Sequence, residues 1–355
     1  MAWRPAPKKI PLQPPHGGES VRARTSMGQA KQCGDGSDRQ REKWRLACAG
    51  IKAQRYSSGM SHVYLGTMRL HTIHTGNFKL DGGAMFGVVP QQLWARTNPP
   101  DAQNLCTWAM RSLLVEVGNR LVLVDCGIGD KQSEKFFSHY HLHGDHSLDR
   151  SLNAAGFARE DITDVFLTHL HFDHVGGAVH RRSDGMLVPS FPNAIYWSNE
   201  SHWQWAVEPN AREKASFLSE NLLPLAESGQ LKWVPRQGRM SKDVLGIQGW
   251  DVFFADGHTE SQMIPLLRMP DGPTLAFMAD LLPSTGHIPL AYVMGYDTRP
   301  LLTLDEKKTF LDAAANEEWV LFLEHDAVNA ACTVQHTPKG VRLREAAPSW
   351  RELVG

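Results

Sequence analysis

The chain is expected to be an α/β protein layered αββα, with two sheets inside and helices on both outer faces. Three observations lead there. From about Tyr64 onward, short apolar runs of strand length alternate with stretches of helical spacing. Two pairs of those runs are joined as hairpins by turn residues, at Gly118-Asn119 and at Asp271-Gly272. The order holds no internal repeat and mixes hairpins with helix-spaced connections, which suits two sheets covered by helices.

The elements follow in order. MRLHTIHTG reads as a first strand, and the glycine-punctuated FKLDGGAMFG as a loop. RSLLVEVGNRLVLVDCG reads as a hairpin. SLDRSLNAAGF has helical spacing and stops at Gly156. DITDVFLTHLHFDHVGG is a short apolar strand running into a histidine-rich loop, and NAIYWSN is another strand. SHWQWAVEPNAREKASFLSENLLPLAES reads as helical with a break near Pro209. WDVFFADGHT is strand then loop, and MIPLLRMPDGPTLAFMADLL is the second hairpin. LDEKKTFLDAAANEEW is an amphipathic helix, and VLFLEHDA is a last strand and loop.

Composition sets the outer bounds. The 355 residues carry 37 Lys+Arg against 38 Asp+Glu, with 42% apolar and 21% charged residues. That is ordinary globular usage, and it excludes a collagen-like repeat or a disulfide scaffold. No apolar run is long enough for a membrane span. The neutral total hides an asymmetry. Residues 1–60 hold twelve Lys/Arg and four Asp/Glu, leaving 25 against 34 for the rest. The first segment is rich in Pro, Gly, Gln and Ser and poor in large aliphatics. It reads as a basic, disordered extension or a start artefact, since such a composition cannot offset its ordering entropy. A transit peptide and a nucleic-acid tail are the alternatives, and it lacks the apolar core of a signal peptide. Residues 61–355 read as one domain. The five cysteines (Cys33, Cys48, Cys106, Cys126, Cys332) are scattered and odd in number, as expected of free thiols in a reducing, cytoplasmic setting.

The chemistry lies in the 17 histidines, which are unevenly spread. His169-Leu170-His171-Phe172-Asp173-His174 follows the apolar run DVFLT, so it sits at the C-terminal end of a strand. In an extended loop His169 and His171 point to one side, and Asp173 and His174 turn toward an adjacent point. Imidazole and carboxylate together suit zinc and other divalent metals. Gly176-Gly177 follows and permits close backbone approach. Further ligand-type residues each follow an apolar run: Asp125 after RLVLV, His258 after VFFADG, Asp280 after LAFMA and His325 after VLFLE. Several strands thus end at one rim, each delivering a polar residue.

With Asp125, HLHFDH, DGHT, MAD and EHD in this order, residues 65–340 resemble the metallo-β-lactamase-fold hydrolases. FKLDGGAMFGVVP and LTHLHFDHVGG are most similar to the branch of N-acyl homoserine lactonases and methyl-parathion-hydrolase-like esterases. The resemblance implies two divalent metal ions, zinc by default, with manganese, iron and cobalt as alternatives. His169, His171 and His258 would bind the first. Asp173, His174 and His325 would bind the second. Asp280 would bridge them, and Asp125 would orient a ligand from behind. It also implies a metal-bridging hydroxide attacking a lactone or ester, possible examples including N-acyl homoserine lactones, with Asp173 and Asp280 as the catalytic carboxylates and Asp173 able to take a proton.

One departure concerns a tyrosine that the small lactonases of this branch place three residues after the bridging aspartate. Here that position is Pro283, and His287, Tyr292 and Tyr296 are the nearby replacements. Met85, Phe86, Trp94, Trp197 and Trp203 are candidates for an apolar acyl pocket, or else ordinary core and surface aromatics. A phosphotriesterase or arylesterase of the same fold is the competing enzyme class, and a metal-dependent sensory module the non-enzyme alternative. A nuclease would want a basic surface, and the body is acidic. The expected partner is a small-molecule substrate rather than nucleic acid or membrane, with a homodimer as an open assembly.

A second string of the same form, His141-Leu142-His143-Gly144-Asp145-His146 with His139 before it, follows KQSEKFFSHY rather than an apolar strand. It reads as a polar loop near the pocket mouth. His169→Ala is expected to remove most of one equivalent of bound metal by elemental analysis, and joint replacement of His141 and His143 by Ala to leave the metal content unchanged. The reverse pattern would make the upstream string the site.

Overall fold

The computed structural model describes residues 62–65, 68–268, 272–349 and 352–353. The basic 1–60 segment, Cys33, Cys48 and Asp271 of the second hairpin turn lie outside them. The chain builds β1 (His62–Leu65), β2 (Met68–Asp81), β3 (Leu105–Val117), β4 (Arg120–Val124) and β5 (Asp164–Phe166). A side hairpin of β6 (Val179–Arg181) and β7 (Leu187–Pro189) branches off. Then β8 (Ile195–Ser198) and β9 (Leu231–Trp233) complete a seven-stranded sheet in the order β1-β2-β3-β4-β5-β8-β9. The second seven-stranded sheet runs in order through β10 (Met240–Ser241), β11 (Trp250–Ala255), β12 (Gln262–Leu267), β13 (Leu275–Phe277), β14 (Val320–Phe322), β15 (Ala331–Thr337) and β16 (Gly340–Ala347).

Alternation of apolar residues explains the layering. Along β2 to β4, Leu70, Leu113, Val115, Val122 and Val124 face one way and pack with Val252, Phe254, Ile264, Leu266 and Phe277 of the other sheet. The opposite face of the first sheet presents Ile73, Leu114, Leu121, Leu123 and Val165. It is covered by Leu148 and Leu152 of one helix and by Leu222 and Leu225 of another. Phe310, Leu311 and Ala314 of the long C-terminal helix (Pro300–Asn316) join the core around the second sheet. The αββα order expected from sequence is the order found.

Two local expectations change. FKLDGGAMFG begins as strand, not loop: β2 pairs residue by residue with β3 from Arg69↔Glu116 to Asp81↔Leu105, with one irregularity between His74 and Gly76. Phe78 is buried while its neighbours Asn77 and Lys79 are partly exposed, so strand periodicity continues through the segment. Asp81 then caps a five-residue helix, α1 (Gly82–Phe86), accepting from the Ala84 amide. The long helical reading of 201–228 resolves into α6 (Glu200–Val207) and α7 (Ser219–Glu227), numbered after the short helices α2 (Gln91–Trp94), α3 (Glu134–Phe137), α4 (Leu148–Ala154) and α5 (Phe172–Val175); residues 208–218 form an irregular connection. Among the described residues no helix is long and apolar enough to cross a membrane.

The strand ends that matter come from parallel pairs, β4 beside β5 and β13 beside β14. Parallel neighbours finish at the same edge, so Asp125, His169, Asp280 and His325 arrive together there. Gly176 and Gly177 fix how closely these loops approach. A Cβ on Gly176 would lie 2.1 Å from the Ile128 carbonyl oxygen, and one on Gly177 2.2 Å from that of Cys126. Gly176→Ala is therefore expected to cost about 2 kcal/mol or more. An unchanged denaturation midpoint would show that the two loops can separate freely.

Candidate metal centre

Seven side chains meet beyond the strand ends, all buried: His169, His171, Asp173, His174, His258, Asp280 and His325. They divide into two sets around one carboxylate. In the first, His171 Nδ1 lies 3.1 Å from His169 Nε2 and 3.2 Å from His258 Nε2, and His258 Nε2 is 3.1 Å from Asp280 Oδ2. In the second, His174 Nε2 and His325 Nε2 are 3.2 Å apart, and His325 Nε2 is 3.1 Å from Asp280 Oδ1. Asp173 Oδ2 stands 3.9 Å from both of those nitrogens. Asp173 and His174 leave the loop on a single helical turn, α5 (Phe172–Val175), which swings them away from His169 and His171.

This donor geometry fits metal ions. Tetrahedral zinc with bonds near 2.0–2.2 Å places its ligand atoms about 3.3–3.6 Å from one another. Groups whose ligand atoms all lie within 4.8 Å of one another are His169–His171–His258–Asp280 and Asp173–His174–His325. Burial and the neighbouring imidazoles push His169 well below its ordinary value. At His258 and His325 burial is outweighed by Asp280, which raises them to about 10 and about 9. Buried Asp280 Oδ1 has no hydrogen-bond donor, as a ligand oxygen would require.

The imidazole nitrogens facing away are held from behind, which sets ring orientation. His174 Nδ1 is 3.0 Å from Asp125 Oδ2, and Asp125 also accepts from the Thr168 amide and hydroxyl. His258 Nδ1 is 3.0 Å from Asp297 Oδ1, His325 Nδ1 2.8 Å from the Ala109 carbonyl, and His169 Nδ1 3.1 Å from Thr168 Oγ1. His171 Nε2 faces Glu213 Oε1 at 3.5 Å. Glu324 adds a second carboxylate 3.2 Å from His174 Nδ1, and burial together with Asp125 raises it to about 8 despite that imidazole. Asp125 (φ 56) and Ala279 (φ 40) hold left-handed backbone beside the site, a conformation that surrounding structure must impose.

A cavity of about 350 Å³ opens onto this cluster, lined by Phe78, Met85, Tyr140, Phe172, Met294 and Tyr296 among others. Of the expected apolar lining only Met85 is there. Phe86 and Trp94 are stacked in the core at 5.3 Å, Trp197 donates to Asp164, and Trp203 packs on Trp233. Of the three replacements for the missing tyrosine, Tyr296 reaches the cavity. His287 is buried 4.2 Å from the Phe86 ring, and Tyr292 packs edge-on to Phe86. The upstream string lies on an exposed loop and forms no metal-capable group among the described residues. His143 Nδ1 is spent on the His141 carbonyl, and His146 stacks on His74. The same loop delivers Tyr140, 4.6 Å from Phe172, to the cavity wall.

The Metallo-beta-lactamase superfamily model matches residues 111–325, more than half of the chain, and the chain belongs to that family. Among solved structures, a probable metal-dependent hydrolase from Staphylococcus aureus is similar at 25% identity, over 80% of this chain and 98% of that one, with a TM-score of 0.71. AidC, a dizinc quorum-quenching lactonase, is similar at 20% identity, over 81% and 97%, with a TM-score of 0.64. Hydrolase AbOPH of the beta lactamase superfamily is similar at 19%, over 81% and 98%, again at 0.64. The last two show likeness of fold. No curated protein matches the chain. The protein is a metallo-hydrolase of this fold.

Glu213, Asp297, Glu324 and Tyr140 were not anticipated as part of the site. Glu213→Gln and Asp297→Asn are each expected to weaken metal binding about 10–100-fold, measured by chelator competition. Wild-type affinity in both variants would remove the orienting role.

Proposed function

We propose that this protein is a dinuclear metal-dependent hydrolase of lactones or esters. The observation that carries the proposal is the placement of Asp280, whose two oxygens each lie 3.1 Å from a histidine nitrogen of a different ligand set. His169, His171 and His258 would hold one divalent cation and Asp173, His174 and His325 the other, with Asp280 within reach of both. Zinc suits these donors, as do manganese, iron and cobalt. When bound, such a pair of dications supplies a hydroxide nucleophile near neutral pH and polarises a carbonyl oxygen.

The chain supplies orientation, exclusion of water and proton handling. Phe78, Leu80, Met85, Phe172 and Met294 give the cavity an apolar wall for an acyl or aryl group. Asp173 lies on the cavity floor, 8% exposed, where it can take a proton from the reacting centre. The described cysteines are all buried, and burial raises each thiol above its usual range, so none is poised as a nucleophile.

The test is metal content followed by initial rates on an N-acyl homoserine lactone, an aryl ester and a phosphotriester. About two metals per chain and turnover of the lactone or the ester, falling at least 100-fold on chelation, are expected. Turnover of the phosphotriester alone would move the protein to the competing esterase class. No turnover with both sites filled would leave a metal-binding module.

A further inference from the structure

One charged residue of the cavity wall has no part in the proposed metal sites. Arg212 lies in the irregular connection between α6 and α7, beside Glu213, and is exposed. Among the residues lining the cavity it is the single Lys or Arg. Its Nη2 donates to the Gly295 carbonyl and, at 3.2 Å, to that of Asp297, so the guanidinium is fastened to the 295–297 loop, which also lines the cavity. Its Nη1 and Nε have no hydrogen-bond partner, and no acidic side chain pairs with it, among the described residues. The neighbouring carboxylate is turned away. Glu213 Oε2 accepts from Trp205 Nε1 at 2.7 Å and Asn210 Nδ2 at 2.6 Å, and Oε1 faces His171.

We propose that Arg212 anchors a carboxylate carried by the substrate, so that the preferred ester or lactone is an anion. This rests on the ester-or-lactone reading above. A guanidinium fixed through one nitrogen presents its remaining N–H donors in a defined direction, which matches the planar, two-oxygen geometry of a carboxylate. Away from the ligand cluster the lining is mostly apolar or aromatic, with Phe78, Met85, Phe172, Met294, Tyr140 and Tyr296, and Ser216 is its one other polar side chain. A neutral acyl chain lying over that wall would cover Arg212 without satisfying it, whereas an anionic substrate would pair it. The substrate class is then a lactone or ester with an apolar body and a separate carboxylate, distinct from the carboxylate that hydrolysis releases.

Matched compounds test this on the metal-loaded full chain. Phenyl hemisuccinate against phenyl butyrate puts the charge on the acyl side. 4-Carboxyphenyl acetate against phenyl acetate puts it on the leaving group. At least one charged member is expected to exceed its neutral twin about tenfold in kcat/KM, with the gain mostly in KM. The advantage should vanish in Arg212→Met, persist in part in Arg212→Lys and shrink with added salt. Equal rates for both pairs, or an advantage that survives Arg212→Met, would overturn the anchor. Calorimetry with the non-reacting amides N-phenylsuccinamate and N-phenylbutyramide separates the two ideas. Tighter binding of the charged amide to wild type but not to Arg212→Met, without hydrolysis of any ester, would keep the anchor and refute the hydrolase chemistry. Equal binding of the two amides with good ester hydrolysis would do the opposite.

Discussion

Five imidazoles crowded nitrogen to nitrogen around one carboxylate in a buried space are the constraint on which this architecture depends. Nitrogen atoms at 3.1–3.2 Å cannot all be satisfied by one another's protons. A buried cation on each side of Asp280 would resolve the conflict at once, because the facing nitrogens and the carboxylate oxygens could then serve as its donors. The strand edge, the single-turn helix at 172–175 and the carboxylates behind the rings all serve to keep those nitrogens aimed at two points. Metal binding and the folding of the ligand loops would be coupled through the same contacts.

Holding loops in that arrangement needs a second device, and three buried cations provide it. Arg111 donates through Nη1 to the Leu323, Asp326 and Asn329 carbonyls, pinning the loop of His325. Lys131 donates to the Gly176 carbonyl, just past the histidine-rich turn. Lys307 donates to the carbonyls of His287, Pro289 and Tyr292, fixing the segment that leads to Asp297. Burial pushes these groups down to about 10, about 8 and about 7. Each thus pays a desolvation cost that its carbonyl partners offset. Loops have few apolar contacts of their own, and a cation satisfying two or three carbonyls does for a loop what a ladder does for a strand.

Much of the fold and the converging residues was legible because both are written in local pattern. The apolar runs gave the strands, and a ligand-type residue just past each run marked the rim. HLHFDH could be told from HLHGDH by the strand before it. What the sequence did not disclose depends on contacts without a local signature. Glu213 and Asp297 lie in irregular segments, and their partners His171 and His258 are far away along the chain. Nothing around Arg212 distinguishes it from a solvated surface arginine until Gly295 and Asp297 are placed opposite it. The β2 extension was hidden by glycines that read as loop punctuation, although Phe78 and Leu80 kept the strand period. Trp94 and Phe86 looked like pocket residues by composition, and are instead buried in the core, where their rings stack on each other.

The central claim is that one carboxylate, Asp280, joins two cation sites built by separate ligand sets. Anomalous diffraction at the zinc edge from crystals of the zinc-loaded protein tests it most directly. Two peaks about 3.5–4 Å apart, one on each side of Asp280, are the expected result. A single peak, or peaks at the His139–His146 loop with none beside Asp280, would contradict it.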